Sequence, residues 1–336
     1  MWGNIVKEDE IVVKASAIGV GANKPIRSTS GWSRFGGSIY KVGHGVKMDE
    51  DDLLKMQEIA ASNMGKMEEL MIDSMIAKSD KLVIGIHNKI TSWLYEGLST
   101  GVINDFNEDG ILVQADLMIP DKYKAKPNSG KGWFTISGST WTPNAQSDPI
   151  QDMLDAQQFA EDENLPFDHW EITKTMYRKL MLHPSVIAKC RNHMSGIANT
   201  NYTLVESEIL SVMHEFGVAP FRVIDEKSAK EINGISEVDT ASFEPTSLVL
   251  CNSGSGLFEI KNARSVYEER VAAGPQQTGQ YSFTGENNAI AILNQWQESP
   301  VCNIFESELW AFPILSNPLK SVLIFNCQDN YTFPTV

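Results

Sequence analysis

Residues 49–98, DEDDLLKMQEIAASNMGKMEELMIDSMIAKSDKLVIGIHNKITSWLYEGL, run fifty residues without a proline. The segment opens on Asp49, Glu50, Asp51 and Asp52, carboxylates at the positive end of a helix dipole. Met64, Met67, Met71, Met75, Leu82, Ile86, Ile90 and Trp93 follow at three- to four-residue spacing, with one step of seven, which makes one apolar stripe. Unbroken, such a helix would span about 75 Å at 1.5 Å per residue. A helical pattern this long ordinarily means a coiled coil, a membrane span or a repeat. Here no heptad with charged flanks persists, no run of about 18 apolar residues occurs, and no internal repeat is visible. Gly65, Gly85 and Ser79-Asp80 are the places where the helix could divide. The methionine stripe reads as core, not as a cofactor box.

The flanks sharpen the question. Residues 14–48, KASAIGVGANKPIRSTSGWSRFGGSIYKVGHGVKM, are rich in Gly and Ser and hold no Asp or Glu. Their charge comes from Lys14, Lys24, Arg27, Arg34, Lys41 and Lys47. Long irregular stretches are uncommon inside compact domains and are usually functional or disordered, so this one reads as an extended arm that orders on a partner. Downstream, Ser99-Thr100-Gly101 stops the helix. VINDF and ILVQADLMI then form a hairpin around Asp109-Gly110.

Next come a Gly/Lys/Pro loop, a strand WFTIS, and a helix capped by Ser147 or Asp148 with Pro149 in its first turn. From about Pro166 the texture is compact α/β. MYRKLMLHPSVIAKC is a helix interrupted before Pro184. Thr203 to Glu206 reads as a capping box for a helix that stops at Gly217. APFRVID and SLVLC are strands, KEINGIS holds a hairpin turn, and 252–289 reads as surface loop. LWAFPILSNPLKSVLIFNC gives two closing strands.

Composition narrows the function classes. The 336 residues allow one large domain or two to three small ones, with ample core. A formal net charge of −15 disfavours sequence-specific nucleic-acid binding, because phosphate binding needs a local excess of Lys and Arg. The start, MWGNIVKEDE, has no apolar run of a secretory signal. Cys190, Cys251, Cys302 and Cys327 are far apart with no CxxC pair, so buried free thiols in a reducing compartment are expected.

Catalytic signals are poor. GVGANK (19–24) is not a P-loop, HEFG (214–217) lacks the second histidine of a zincin, and NSGSG (252–256) is not a nucleophile elbow. His183, Cys190 and His193 lack a fourth zinc ligand. Cys251 sits beside a Gly/Ser turn but shows no positioned base. No enzyme activity, catalytic residue, cofactor or metal site is expected.

The order of these pieces resembles the major capsid proteins of tailed bacteriophages, with the HK97-type fold, and more narrowly the lambda-type "major capsid protein E" family. ITSWLYEGLSTGVI with ILVQAD, WTPNAQSDPIQDM, VIDEKSAKEINGIS with SFEPTSLVLCNSGSGLFE, and ELWAFPILSNPLKSVLIFNC carry the resemblance. Together they extend over about residues 15–330. It implies an α+β fold in parts: an N-terminal arm (1–13), an extended E-loop (14–48), a peripheral (P) domain (49–165) with spine helix 49–98 and hairpin 102–119, an axial (A) domain (166–295), and return strands to the P domain (296–336). The hairpin and the C-terminal strands would share one long sheet.

The resemblance also implies a structural role: a self-assembling subunit forming pentamers and hexamers of an icosahedral head around packaged double-stranded DNA, in the virion, assembled in a bacterial host's cytoplasm. Partners would be further copies, with portal, scaffolding and decoration proteins, and no membrane. Arg27, Trp32, Arg34, Phe35 and Lys41 are the candidate assembly contacts, arginines for carboxylates and aromatics as anchors. No helical scaffold-like region precedes residue 14, which implies a separate scaffold if one is used. Lys24, Lys41 and Lys47 have no matching asparagine and glutamate, so isopeptide crosslinking is not expected. An encapsulin-like nanocompartment shell and an unrelated soluble hydrolase are the alternatives.

Overall fold

The computed structural model of the chain describes residues 2–7, 32–61, 65–106, 112–127, 131–194, 204–225, 227–232, 235–240, 242–253, 256–265, 279–284, 290–298, 301–328 and 331–335. The chain opens with β1 (Trp2–Lys7), β2 (Trp32–Gly37) and β3 (Tyr40–Met48), then helices α1 (Glu50–Ala61) and α2 (Gly65–Thr100). Strands β4 (Val102–Phe106), β5 (Leu112–Asp116), β6 (Lys124–Ala125), β7 (Phe134–Ser137) and β8 (Thr140–Pro143) lead to α3 (Pro149–Asp162). After β9 (His169–Thr173) come α4 (Lys174–Met181), α5 (Pro184–His193) and α6 (Glu206–Glu215). The rest is strand: β10 (Phe221–Ile224), β11 (Lys227–Ile232), β12 (Ile235–Thr240), β13 (Ser247–Cys251), β14 (Phe258–Ala263), β15 (Gly279–Thr284), β16 (Ile290–Glu298), β17 (Val301–Leu315) and β18 (Val322–Asn326). The fold is α+β, and the chain divides into two compact units: Met1–Trp2, Ser38–Leu94 and Ile260–Ile314 in one, Gly3–Gly37, Tyr95–Glu259 and Leu315–Val336 in the other.

The first unit is built on β17. It pairs with β16 from Val301 to Leu309, and with β3 from Asn303 opposite Met48 to Ala311 opposite Tyr40. The base of the acid-free arm is therefore a full strand of this sheet. The apolar stripe of α2 lies inward: Leu82, Ile86, Ile90 and Trp93 are all at most 3% exposed. Burying side chains of this size is worth about 1.5–3 kcal/mol each. Met48, Leu82 and Phe305 pack together with Val46. Tyr40 and Trp93 stack around Phe312, with centroids 5.4 and 5.9 Å from it. Gly85 is needed for the close approach of β3, since a Cβ there would lie 2.5 Å from the His44 ring, whose Nε2 bonds to Leu82 O at 3.1 Å.

Of the helix expected over 49–98, the described residues supply α1 (Glu50–Ala61) and α2 (Gly65–Thr100), and 62–64 lie outside the described residues. Neither Ser79-Asp80 nor Gly85 breaks α2, which runs from Gly65 to Thr100. The side chains from Met64 to Met75 lie outside the described residues. Alone, α2 has 36 residues and runs about 54 Å at 1.5 Å per residue. It ends at Gly101, whose φ of +84° lets its N–H reach Gly97 O at 2.8 Å, a left-handed helix stop.

The second unit is a mixed sheet in the order β10-β9-β13-β18-β6. SLVLC and VLIFN are buried at every residue, as central strands covered on both faces must be. Helix α3 is capped by Asp148, which accepts from Gln151 N. It contributes Asp152, which accepts a 2.8 Å bond from the buried Trp133 Nε1. Its Gln157 accepts from both Trp170 Nε1 and Ala219 N.

Three expectations are corrected. The hairpin β4–β5 is a two-stranded sheet of its own, while β17 and β18 belong to two different sheets; after the turn at Ser316 to Pro318 the chain enters β18, buried at every residue, which pairs with β13 and β6 and not with β17. Residues 252–289 are not all loop: they include β14 and β15. The N-terminal box of α6 lies two residues later than Thr203–Glu206, with Glu208 accepting from Val205 N at 2.9 Å. Gly217 does end that helix, at φ +93°.

Candidate functional site

The arm residues come first. Arg27 lies outside the described residues. Trp32, Arg34 and Phe35 lie in β2, which pairs with β1, and their side chains lie outside the description. Lys41 is in β3, and its Nζ reaches Glu308 Oε2 at 2.5 Å. Glu308 is 5% exposed on β17, and its Oε1 also accepts from Trp310 Nε1 at 2.7 Å and Ser265 Oγ at 2.9 Å. Burial alone would push this carboxyl up. The bonds from Lys41, Trp310 and Ser265 outweigh it and hold the group below the usual carboxylate range. Lys41 thus serves an ion pair within its own chain.

The chemically richest cluster is one that sequence reasoning half saw. Cys251 closes β13 directly opposite His169, the first residue of the antiparallel β9. Glu171 follows two residues along, on the same face of β9. Cys251 Sγ lies 3.7 Å from His169 Nε2, which is 3.5 Å from Glu171 Oε1. His169 Nδ1 bonds to Asp168, and Asp168 in turn accepts from Ser253 N and Oγ. Those bonds, the Ser253 hydroxyl's first, hold the Asp168 carboxyl down at about 2. Arg222 reaches Glu171 Oε1 at 3.3 Å.

A thiol, an imidazole and a carboxylate in line suggest a nucleophile with its base. The environment argues otherwise. Cys251 is 1% exposed, and burial, then the nearby Glu171 and Asp168 charges, push its thiol far above the usual range. A nucleophilic thiolate needs access and a positive neighbourhood. The spacing HxE with a cysteine 80 residues beyond Glu171 has no meaning until the strands pair, which is why only Cys251 stood out in the sequence.

The imagined trio of His183, Cys190 and His193 is not a cluster. His183 is fully buried: its Nε2 bonds to Trp133 O at 3.1 Å, and its Nδ1 caps α5 by accepting from Ser185 N. Cys190 is buried, and His193 pairs with Glu215 at 2.7 Å. All four cysteines are buried and unpaired, as expected. An open groove of about 900 Å³ borders Trp141, Lys174, Arg178, Asp225 and Phe243, with Lys174 paired to Asp225. Among the described residues no helix is long and apolar enough to cross a membrane.

No family model matches the chain, and no curated protein matches it. Solved structures do. A chain from Gordonia phage Cozz is similar at 10% identity and a TM-score of 0.45, over 96% of this chain and 80% of that one. The cyanophage A-1(L) capsid is similar at 10% identity and 0.43, over 98% and 88%. The capsid of Ralstonia phage GP4 follows at 8% identity and 0.43, over 99% and 85%. Scores under 0.5 do not carry a role from those particles to this chain.

Proposed function

We propose that this chain is the major capsid subunit of a tailed phage or prophage, an HK97-type shell tile with no catalytic role. The observation that carries the reading is the arm. A segment with six cations and no acids, in a chain of net charge −15, ends in β3, which is fastened along β17 beside a 36-residue helix. A charged arm rooted in a rigid sheet can reach an acidic neighbouring copy, where opposite charge steers encounter and sets register. The resemblance of the quoted stretches, in order, gives the parts: E-loop, spine helix, P domain, A domain and return strands. The best-formed nucleophile candidate, Cys251, is buried and protonated, so it gives a hydrolase no support.

In this reading the contacts between copies fall to Arg27, Trp32, Arg34 and Phe35, while Lys41 holds the root of the arm. Copies form pentamers and hexamers, portal, scaffolding and decoration proteins complete the head, and packaged double-stranded DNA lies inside.

Negative-stain electron microscopy with size-exclusion chromatography on the full chain, alone and with a candidate scaffold, tests the reading. Closed shells, or five- and six-membered rings, are expected. The double variant Arg27→Glu, Arg34→Glu should melt like the parent yet fail to form regular shells. A chain that stays small under every condition, or normal shells from the double variant, would overturn the shell reading or the arm assignment respectively.

A further inference from the structure

We propose that His169, Glu171 and Cys251 form a binding site for one divalent transition-metal ion, best suited to zinc. The site stands apart from the capsid reading and does not depend on it. The three donors, one nitrogen, one oxygen and one sulfur, lie within 4.8 Å of one another, and all three residues are buried. Tetrahedral zinc with bonds of about 2.0–2.3 Å to N, O and S puts its ligand atoms roughly 3.3–3.7 Å apart. The separations of 3.7 Å from Sγ to Nε2 and 3.5 Å from Nε2 to Oε1 already match.

The proton inventory points the same way. His169 Nδ1 faces a carboxylate, so it carries the hydrogen and Nε2 presents its lone pair. That lone pair faces Glu171 Oε1, another acceptor, and the thiol is the one proton source among the three ligands. The second oxygen, Glu171 Oε2, is buried with no hydrogen-bond partner among the described residues. A buried carboxylate oxygen left unpaired is costly; Oε1 already accepts from Arg222 Nη1 at 3.3 Å, so a cation held by both carboxylate oxygens supplies what Oε2 lacks. Asp168 completes the pattern: a carboxylate on the far nitrogen of a metal-binding imidazole fixes the tautomer and raises ligand basicity. Mixed N, O and S donors suit zinc and not magnesium or calcium, which take oxygen. On binding, the Cys251 thiol gives its proton to solvent, the sulfur–metal bond forms, and the ion exchanges three waters for the protein ligands. The ion would staple the end of β13 to the start of β9.

The rival account is an imidazolium: His169 protonated on both nitrogens between Asp168 and Glu171, with no ion. Cobalt separates the two. The untagged full chain is stripped with chelator, then titrated with Co²⁺ and with Zn²⁺, reading the thiolate-to-cobalt charge-transfer band and the metal content. One equivalent per chain, with a charge-transfer band that zinc bleaches, is expected. Cys251→Ser should abolish the band, while Cys190→Ser and Cys302→Ser keep it. Asp168→Asn, which loses no ligand, should weaken zinc binding about 10- to 100-fold. A parent chain with no band, or a band that survives Cys251→Ser, overturns the site. The parent titration decides even if a variant fails to fold.

Discussion

Lys41→Met separates two roles that one residue could hold. The substitution keeps the length of the side chain and removes its charge. In the folded chain this strips Glu308 of its only close cation among the described residues and leaves it 5% exposed with two neutral donors, Trp310 and Ser265. Removing one partner of a fully buried pair costs about 3–5 kcal/mol, whereas exposed pairs are worth about 0–1 kcal/mol. The Lys41 side chain is 52% exposed, so water replaces part of the interaction. The loss at neutral pH should be about 1–2 kcal/mol, between those limits.

The pH dependence carries the diagnosis. In the parent, Glu308 is depressed, so its contribution is present above the ordinary carboxylate range and fades as pH falls through the folded value. In the variant, burial dominates and the carboxyl rises, so the cost is felt at neutral pH and is relieved on protonation. Urea unfolding of both chains at about pH 7 and about pH 4 should give a gap that is widest at neutral pH and narrows in acid. An equal gap at both pH values, or none, refutes the ion-pair account. If the free chain is unchanged but shells fail, Lys41 acts between copies instead.

Two further outcomes follow from the same coordinates. Gly43→Ala should destabilise the chain by about 1–3 kcal/mol, the cost of overpacking: a Cβ there would sit 2.3 Å from Ser307 O, a backbone atom that cannot rotate away. An unchanged melting temperature would show that β3 is not held tightly to β17. His183 is pushed down by burial; since the unfolded histidine takes up a proton near 6.5 and the folded one resists, stability should fall as pH drops below that value. His183→Gln should flatten this slope in a thermal-shift series, and a slope that persists would place its origin elsewhere.

The sequence was most legible where one physical rule acted alone. The stripe of Leu82, Ile86, Ile90 and Trp93 follows from helical period, and the apolar runs SLVLC and VLIFN from two-sided burial. Gly101 and Gly217 announced their helix ends because only a left-handed residue can close them cheaply. What stayed hidden depends on pairing over long separations. Nothing near residue 45 says that its strand partner lies beyond residue 300, so the root of the arm was read only as part of an extended arm. For the same reason His169, Glu171 and Cys251 could not be seen as neighbours: HWEIT looks like any strand until its register against β13 is known. The fifteen residues of β17 and the short β18 were expected in one sheet because the sequence shows the turn but not which sheet each strand enters.

The pairing of β3 with β17 also sets a clock. The partner of Met48 is Asn303, 255 residues later. At about 5–20 residues per second, a ribosome needs roughly 13–50 s to deliver it. Until then the apolar side of α2 has no sheet strand from the C-terminal part to rest on, and β3 has an open edge. The nascent chain is therefore incomplete, and dependent on whatever shields it, for nearly the whole of its synthesis. The sheet that holds β3 can close only after Asn303 to Ala311 have emerged. An uncovered apolar helix face and an unpaired strand edge make that interval the one in which the chain is most prone to wrong association.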